Sequence, residues 1–523
     1  MAVIVSLSIY SISFLGLLAL RFWHRPFTLS WSTAALGSVF GWLSVLFWKM
    51  ELPIGHTYSF SLQNSIFALP LVVSINENNW MLVIALTTLL AVTVLTSPAR
   101  TGAVEKPSSL IASFSTSSVA ILAILSANLT TLILGWVLLD AIELINQIRL
   151  TRSDAGLRNA LVDYLIKTLA VFFAWLSVSY SGPGTVSLML SSITDQFAIL
   201  SIFIAAGVRI GLFPFRLRRI SIDNEQLGFG TLLNIVTFIT SLAPLLLLNV
   251  DQLSALSKTI LLLIAGFSGL ISAWVWLTET NEDHSQQHFL MAGSSVFIFA
   301  IIGLQKLGAT SLGSVMALAS SVVFLHTANV KRLPAILALC AFLMIGLPFS
   351  YTATLYSVSL PLAIIYQLLF GLINTMAVGG FLRRVLAPKS IDLEESPLWA
   401  QTTYPAGLAL GPIVCLLFGL WGWQGAFQIG TVWVGAFSAI VLSGTLIFVW
   451  RSRNILATIS GIRFELVTGS LTRIEELIRS IFGFFFSSLE GLFRMLSLVL
   501  EGDGGWFWVG LFLVLVVLLA RGA

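Results

Sequence analysis

Charge is what this chain has little of. Of its 523 residues, 10% are Asp, Glu, Lys or Arg and 57% are hydrophobic, whereas an ordinary soluble domain carries roughly 25% charged residues. A water-soluble fold is thereby excluded, and the mean hydropathy of +0.97 points to a polytopic membrane protein. Cysteine is nearly absent too: Cys340 and Cys415 are the only two, and both sit in apolar runs. Disulfide-rich secretion is excluded, and neither a zinc site of thiolates nor an iron–sulfur cluster can be built on two thiols. His284 and His288 flank the acidic stretch Glu279 to Asp283, but without thiols or a defined ligand spacing no metal site is expected. No cofactor is expected either.

What is present is long apolar runs. A helix needs about 20 apolar residues to cross a hydrocarbon core of about 30 Å. Cutting at charges, Pro/Gly clusters and polar stretches predicts sixteen spans, near residues 2–20, 30–48, 80–97, 110–125, 127–148, 160–180, 197–214, 227–250, 256–278, 287–305, 309–326, 333–349, 352–381, 404–423, 430–450 and 506–520. The fourth and fifth are parted only by Asn128, so a count of about 14–16 is the expectation. The first run lacks a preceding basic region and a small-residue cleavage site, so it is expected to remain as a span rather than leave as a signal peptide.

The few charges are sorted by position. Fifteen Lys and Arg residues fall in odd-numbered loops: Arg21, Arg25, Arg100, Lys106, Arg149, Arg152, Arg158, Arg216, Arg218, Arg219, Lys331, Arg332, Arg383, Arg384 and Lys389. Even-numbered loops hold three, Lys49, Lys258 and Lys306. The positive-inside rule then predicts an N-terminus outside and residues 451–500 on the cytoplasmic side. The net charge of +4 and the pI near 9.1 are thus a matter of topology, and no nucleic-acid partner is implied. Within 455–500 the apolar positions Val467, Leu471, Ile474, Ile478, Ile481, Phe485 and Leu489 step by three and four, with Glu475–Arg479 and Glu490–Arg494 as i,i+4 pairs. That pattern predicts an amphipathic helix, lying either on the lipid surface or as a strap along neighbouring subunits.

Ionisable groups inside spans are costly and by default suggest function. Asp140 and Glu143 lie in the fifth predicted span, Asp163 and Lys167 in the sixth, and Arg209 in the seventh. Asp163 and Lys167 are four apart on one helical face, so they can neutralise each other, as part of an ion path or as a pair that only fixes packing. Asp140 and Glu143 could instead lie where water reaches them, and Arg209 could snorkel to the interface. Pro214 in Phe213-Pro214-Phe215 and Pro348 in Gly346-Leu347-Pro348-Phe349 predict breaks in the seventh and twelfth spans. Interrupted helices in corresponding halves mark ion or substrate paths in repeat-built transporters.

In this layout the chain resembles the antiporter-like membrane subunits of respiratory complex I (NADH:quinone oxidoreductase), of multisubunit Na+/H+ antiporters and of membrane-bound hydrogenases. The resemblance covers nearly the whole chain in layout and is weak in motif. It implies an all-α fold with two inverted five-helix repeats, spans four to eight and nine to thirteen, broken at the seventh and twelfth, and with a C-terminal lateral helix. The corresponding segments are 1–100 for N-terminal helices, 101–250 and 251–400 for the repeats, 401–452 for additional helices, 453–503 for the lateral helix and 504–523 for an anchoring span. Residue by residue, the family's glutamate in a Leu-Gly-Trp-Glu-Leu segment falls on Val137, with Asp140 one turn later as substitute. The family's lysine before the seventh-span proline falls on Arg209, and its histidine there on Arg216. Its eighth-span polar group falls near Asn234, its eleventh-span group has a stand-in in His326, and its twelfth-span lysine falls on Tyr356.

The resemblance implies a subunit of an ion-translocating complex in a bacterial inner membrane or an organelle such as the thylakoid, moving H+ or Na+ beside other membrane subunits. The path candidates are Asp140, Glu143, Asp163, Lys167, Arg209, Asn234 and His326. An arginine stays protonated and relays no proton, and the second repeat shows no buried Lys, Glu or Asp in sequence. A degenerate polar axis is therefore expected, and two other functions stay open: a non-conducting scaffold, and a stand-alone transporter lined by Asn234, Gln367 and Asn374.

Overall fold

A computed structural model describes the chain from residue 2 to 421, apart from 53–55, 61–70, 102–106, 151–153, 182–188, 213–226, 279–281, 304–305, 331–332, 346–363, 388, 390 and 394–395. Among the described residues there are fourteen α-helices: α1 (Ala2–Phe22), α2 (Phe27–Glu51), α3 (Glu77–Thr101), α4 (Pro107–Ile124), α5 (Leu129–Leu150), α6 (Asp154–Ser181), α7 (Gln196–Ile210), α8 (Leu227–Leu247), α9 (Ala255–Thr278), α10 (Glu282–Gly303), α11 (Lys306–Leu325), α12 (Leu333–Ile345), α13 (Ile364–Val385) and α14 (Leu398–Trp421). They correspond one for one to the first fourteen predicted spans. Ten are long and apolar enough to cross a bilayer. The last two predicted spans, the amphipathic segment and both prolines Pro214 and Pro348 lie outside the described residues.

The packing sorts ten of the helices into two blocks. From α4 to α8 each helix packs on the next, and α4 also packs on α8. The run α9 to α13 does the same, with α13 against α9. Each block of five thus closes on itself. Between them runs α3, which touches α4 and α8 on one side and α11 and α14 on another. It is buried nearly all round, and its stretch Trp80 to Leu95 carries no charge, its polar residues being Thr87, Thr88 and Thr93.

Fourth and fifth spans are separated by more than one residue of polarity. At Leu125–Asn128 the backbone leaves the helix and pairs with a strand: Ser74 N donates to Leu125 O, and Ala127 N donates to Val72 O. That strand, β2 (Leu71–Ile75), pairs antiparallel with β1 (His56–Phe60). Asn128 then starts α5, its Oδ1 accepting from Thr131 N at 3.0 Å. The hairpin was not predicted from sequence. It supplies partners for backbone groups that would otherwise be bare at the end of two spans.

Two tryptophans complete helices that proline interrupts. A proline in a helix leaves the carbonyl four residues earlier without its donor. Pro98 in α3 does this to Val94, whose oxygen accepts from Trp31 Nε1 at 2.9 Å. Pro244 in α8 does it to Thr240, whose oxygen accepts from Trp136 Nε1 at 3.2 Å. A third indole, Trp276 Nε1, donates to Ala377 O and fixes α9 against α13. A side chain at Gly380 would run into that ring. Because the indole is pinned it cannot give way, and Gly380→Ala is expected to lose about 1–3 kcal/mol, as overpacking does. The check is a lower melting temperature in detergent.

Candidate functional site

Helices α5, α6 and α7 bring five ionisable side chains into one row. Asp140 and Glu143 are three residues apart and so share one face of α5. Against Asp140 stands Arg209, at the last turn of α7, in a two-pronged pair: Nη1 to Oδ2 at 2.6 Å and Nη2 to Oδ1 at 2.7 Å. Its guanidinium also lies 4.6 Å from the centre of the Trp136 ring, one turn before Asp140. Against Glu143 stands Lys167 of α6, Nζ to Oε2 at 2.6 Å, and the same ammonium reaches Asp163 Oδ2 at 2.8 Å. Both are ion pairs by distance. Gln147 Nε2 donates to Glu143 Oε1 at 3.1 Å and extends the row one turn further along α5.

Burial grades this row. Arg209, Asp140, Glu143 and Lys167 have side chains exposed by 3% or less, whereas Asp163 keeps 22%. The readings of Asp140 and Glu143 as water-facing, and of Arg209 as a snorkel, are therefore corrected. Lys167 is likewise shared between two helices, where sequence spacing offered only Asp163.

Helix α7 ends at Ile210, short of Pro214. Gly211 takes a left-handed conformation, φ 85°, after Ile210. Its N–H bonds back to Val208 O, and Leu212 N bonds to Gly207 O, a helix-closing arrangement that any side chain on residue 211 would strain. The negative end of a helix dipole would then sit among apolar helices, and Arg209 in the final turn offsets it.

The two remaining candidates stand apart from the row. Asn234 in α8 donates from Nδ2 to Gln286 Oε1 of α10 at 2.9 Å, and Gln286 Nε2 donates to Thr231 O at 3.2 Å. This amide bridge ties one five-helix block to the other, and neither group titrates. His326 lies just past α11, 2% exposed, with neither ring nitrogen bonded to any described residue. Beside it the Tyr404 hydroxyl accepts from Thr327 N and Ala328 N at 2.7 and 2.9 Å and donates to Leu325 O at 3.1 Å. Tyr404→Phe leaves these backbone groups bare and is expected to cost about 1–3 kcal/mol, seen as faster amide hydrogen exchange at 325–328 and a lower melting temperature.

Among the described residues of α9–α13, no Asp, Glu or Lys is buried. The buried charge there is Arg384, which sequence had placed in a loop. It lies 3.8 Å over the Trp276 ring and donates to Trp276 O at 2.7 Å, while Arg383 reaches Thr278 O. Both close the carbonyl end of α9. Among the described residues no three His, Cys, Asp or Glu side chains gather as a metal ion would need. Sequence reasoning missed Gln147, Gln286, Tyr404 and the role of Trp136. Only the i,i+4 spacings of Gln147 from Glu143 and of Trp136 from Asp140 could have signalled two of them.

No family profile and no curated protein matches the chain. Solved structures do. A chain of the Mrp complex from Dietzia sp. superposes with a TM-score of 0.66 at 15% identity, over 100% of this chain and 62% of that one. This chain therefore spans less than two thirds of that relative's length. A chain of the membrane-bound sulfane sulfur reductase, an archaeal respiratory membrane complex, gives 0.64 at 13% identity over 98% and 100% of the two chains. A chain of respiratory complex I from Thermus thermophilus gives 0.56 at 15% identity over 80% and 98%. At such identities the likeness shows the fold alone, an all-α arrangement shared with a chain of each of these complexes.

Proposed function

We propose, with that fold as premise, that the chain is an antiporter-like membrane subunit of a multisubunit ion-translocating complex, in which the α5–α6–α7 row serves as a half-channel for a monovalent cation. The observation that carries this reading is the row itself. Five ionisable side chains are held within hydrophobic helices beside the glycine-capped end of α7. Burying charge is expensive unless it is used or fully paired. The graded exposure, from Asp163 at 22% to Arg209 at 0%, supplies a route from water inward. The topology read from Lys and Arg puts that opening on the cytoplasmic side, since α6 enters the membrane from there. The amphipathic segment 453–503 is assigned to a cytoplasmic strap along neighbouring subunits.

Other membrane subunits are the expected partners, because each of the three similar chains belongs to a named complex. Purification in mild detergent tests this: co-purifying membrane subunits are expected, and a stable lone monomer would overturn it. Redox chemistry is assigned to those partners. A second reading, a scaffold that conducts nothing, is favoured by one observation. The second block holds no buried Asp, Glu or Lys among its described residues, and the contact from α8 to α10 is an uncharged amide pair. Ion flux through vesicles carrying the complex separates the two, with Asp140→Leu and Lys167→Leu as the comparison: loss of flux supports conduction, and unaltered flux supports the scaffold.

A further inference from the structure

We propose that the turn between α1 and α2 is a binding site for an anionic phospholipid, with Arg21, His24 and Arg25 holding the headgroup phosphate and the exposed apolar sides of α1 and α2 taking the acyl chains. The site lies apart from the α5–α6–α7 row, and it stands whether or not that row conducts.

The turn is closed in a way that favours glycine. Arg25 N donates to Leu20 O and His24 N donates to Arg21 O, the two nested bonds of a Schellman closure. That closure puts residue 24 in the left-handed region, φ 49°, and among the described residues it is the one residue other than glycine with a positive φ. Glycine takes this place at least cost, whereas histidine brings an imidazole that can donate a hydrogen bond. A backbone cost borne at an exposed turn points to use of the side chain. Its neighbours in sequence are cationic and aromatic. Arg21 and Arg25 are exposed and make no ion pair with any described residue, and a guanidinium matches a phosphate with two parallel hydrogen bonds. Between them Phe22 is 78% exposed and Trp23 69%. Beside α2, helix α14 begins with the exposed Leu398 and with Trp399, whose ring centre lies 4.4 Å from that of Trp31. Basic and aromatic side chains together at helix ends suit the membrane–water interface. In the topology read from Lys and Arg this turn faces the cytoplasm, the side whose leaflet is anionic.

The apolar exposure does not stop at the turn. It continues along α1 through Leu15 and Ile12 and along α2 through Leu29 and Leu36. From Phe22 to Ile12 the helix rises about 15 Å, the depth of one leaflet in a core about 30 Å thick. A soluble anion would use the arginines and leave these side chains bare, and an acidic peptide would end where the bilayer begins. A phospholipid has a negative head for the arginines and chains long enough to cover the helices beneath it. That continuity selects the occupant.

Native mass spectrometry on the full chain, delipidated in mild detergent with whatever subunits purify with it, tests this by counting bound lipids. Phosphatidylglycerol is expected to bind more tightly than phosphatidylcholine to the unaltered protein, a comparison that needs no variant to fold. Each arginine removed is expected to weaken phosphatidylglycerol binding about fivefold, and Arg21→Gln/Arg25→Gln about thirtyfold, as expected of basic residues at a membrane surface, with phosphatidylcholine binding unchanged. His24→Gly separates the fold of the turn from its use. It is expected to raise the melting temperature, because glycine takes the left-handed place without strain, and to weaken phosphatidylglycerol binding all the same. Equal phosphatidylglycerol binding by the unaltered protein and the double variant would overturn the proposal. Displacement of the lipid by an equal concentration of glycerol 1-phosphate would overturn it in favour of a soluble anion. Loss of a co-purifying subunit from the double variant, with lipid binding unaltered, would make the turn a protein interface instead.

Discussion

Arg209→Leu is expected to destabilise the protein by about 3–5 kcal/mol, the range found when one partner of a buried ion pair is deleted. The pair with Asp140 is sealed: Arg209 has no exposed side-chain surface and Asp140 has 3%. Removing the guanidinium leaves a carboxylate within apolar helices, takes a cation from the face of Trp136, and frees the dipole at the end of α7. The double change Asp140→Leu/Arg209→Leu is expected to recover most of the loss, because replacing a whole buried pair by apolar groups of similar size is often neutral. Thermal unfolding in detergent decides. A double variant no more stable than Arg209→Leu would mean that the two side chains do not act as a pair.

Lys167→Leu is the second large expected effect, and it falls on transport. Without the ammonium, Glu143 and Asp163 lose the cation that stands between them, and Glu143 is left as an uncompensated buried charge. The proposed half-channel loses the group that joins α5 to α6. Ion flux is expected to fall about a hundredfold, the lower end of what a positioned acid–base group contributes, and stability is expected to fall with it. Lys167→Arg keeps the charge but cannot pass a proton. It is expected to restore the melting temperature and leave flux low, which separates the structural part of the loss from the functional part.

The helices were legible in the sequence because length and hydropathy alone decide whether a segment spans, and α1 to α14 follow the predicted runs. The members of the charged row were legible too, since an ionisable residue among apolar ones stands out. Their pairing was not. Spacing within one helix offers Asp163 to Lys167, but Lys167 to Glu143 and Arg209 to Asp140 are set by how α5, α6 and α7 pack, and no periodicity reports that. The hairpin β1–β2 escaped because its strands are five residues each, short enough to read as a linker between spans. Arg384 was counted as a loop charge from its place in sequence, while the fold turns it onto Trp276 and the end of α9. The same limit applies to Trp31 and Trp136, whose roles depend on prolines far away in the chain.

The central claim, that the α5–α6 row moves a cation, is tested most directly by Glu143→Gln. The amide matches the carboxylate in shape and can still accept from Gln147, and Lys167 keeps Asp163 as counter-ion, so the fold is expected to persist with a lowered melting temperature. The measurement is ion flux into vesicles reconstituted with the complete complex. Flux at the level of empty vesicles is the expected result, and flux equal to the unaltered complex from a fully folded variant would contradict the account.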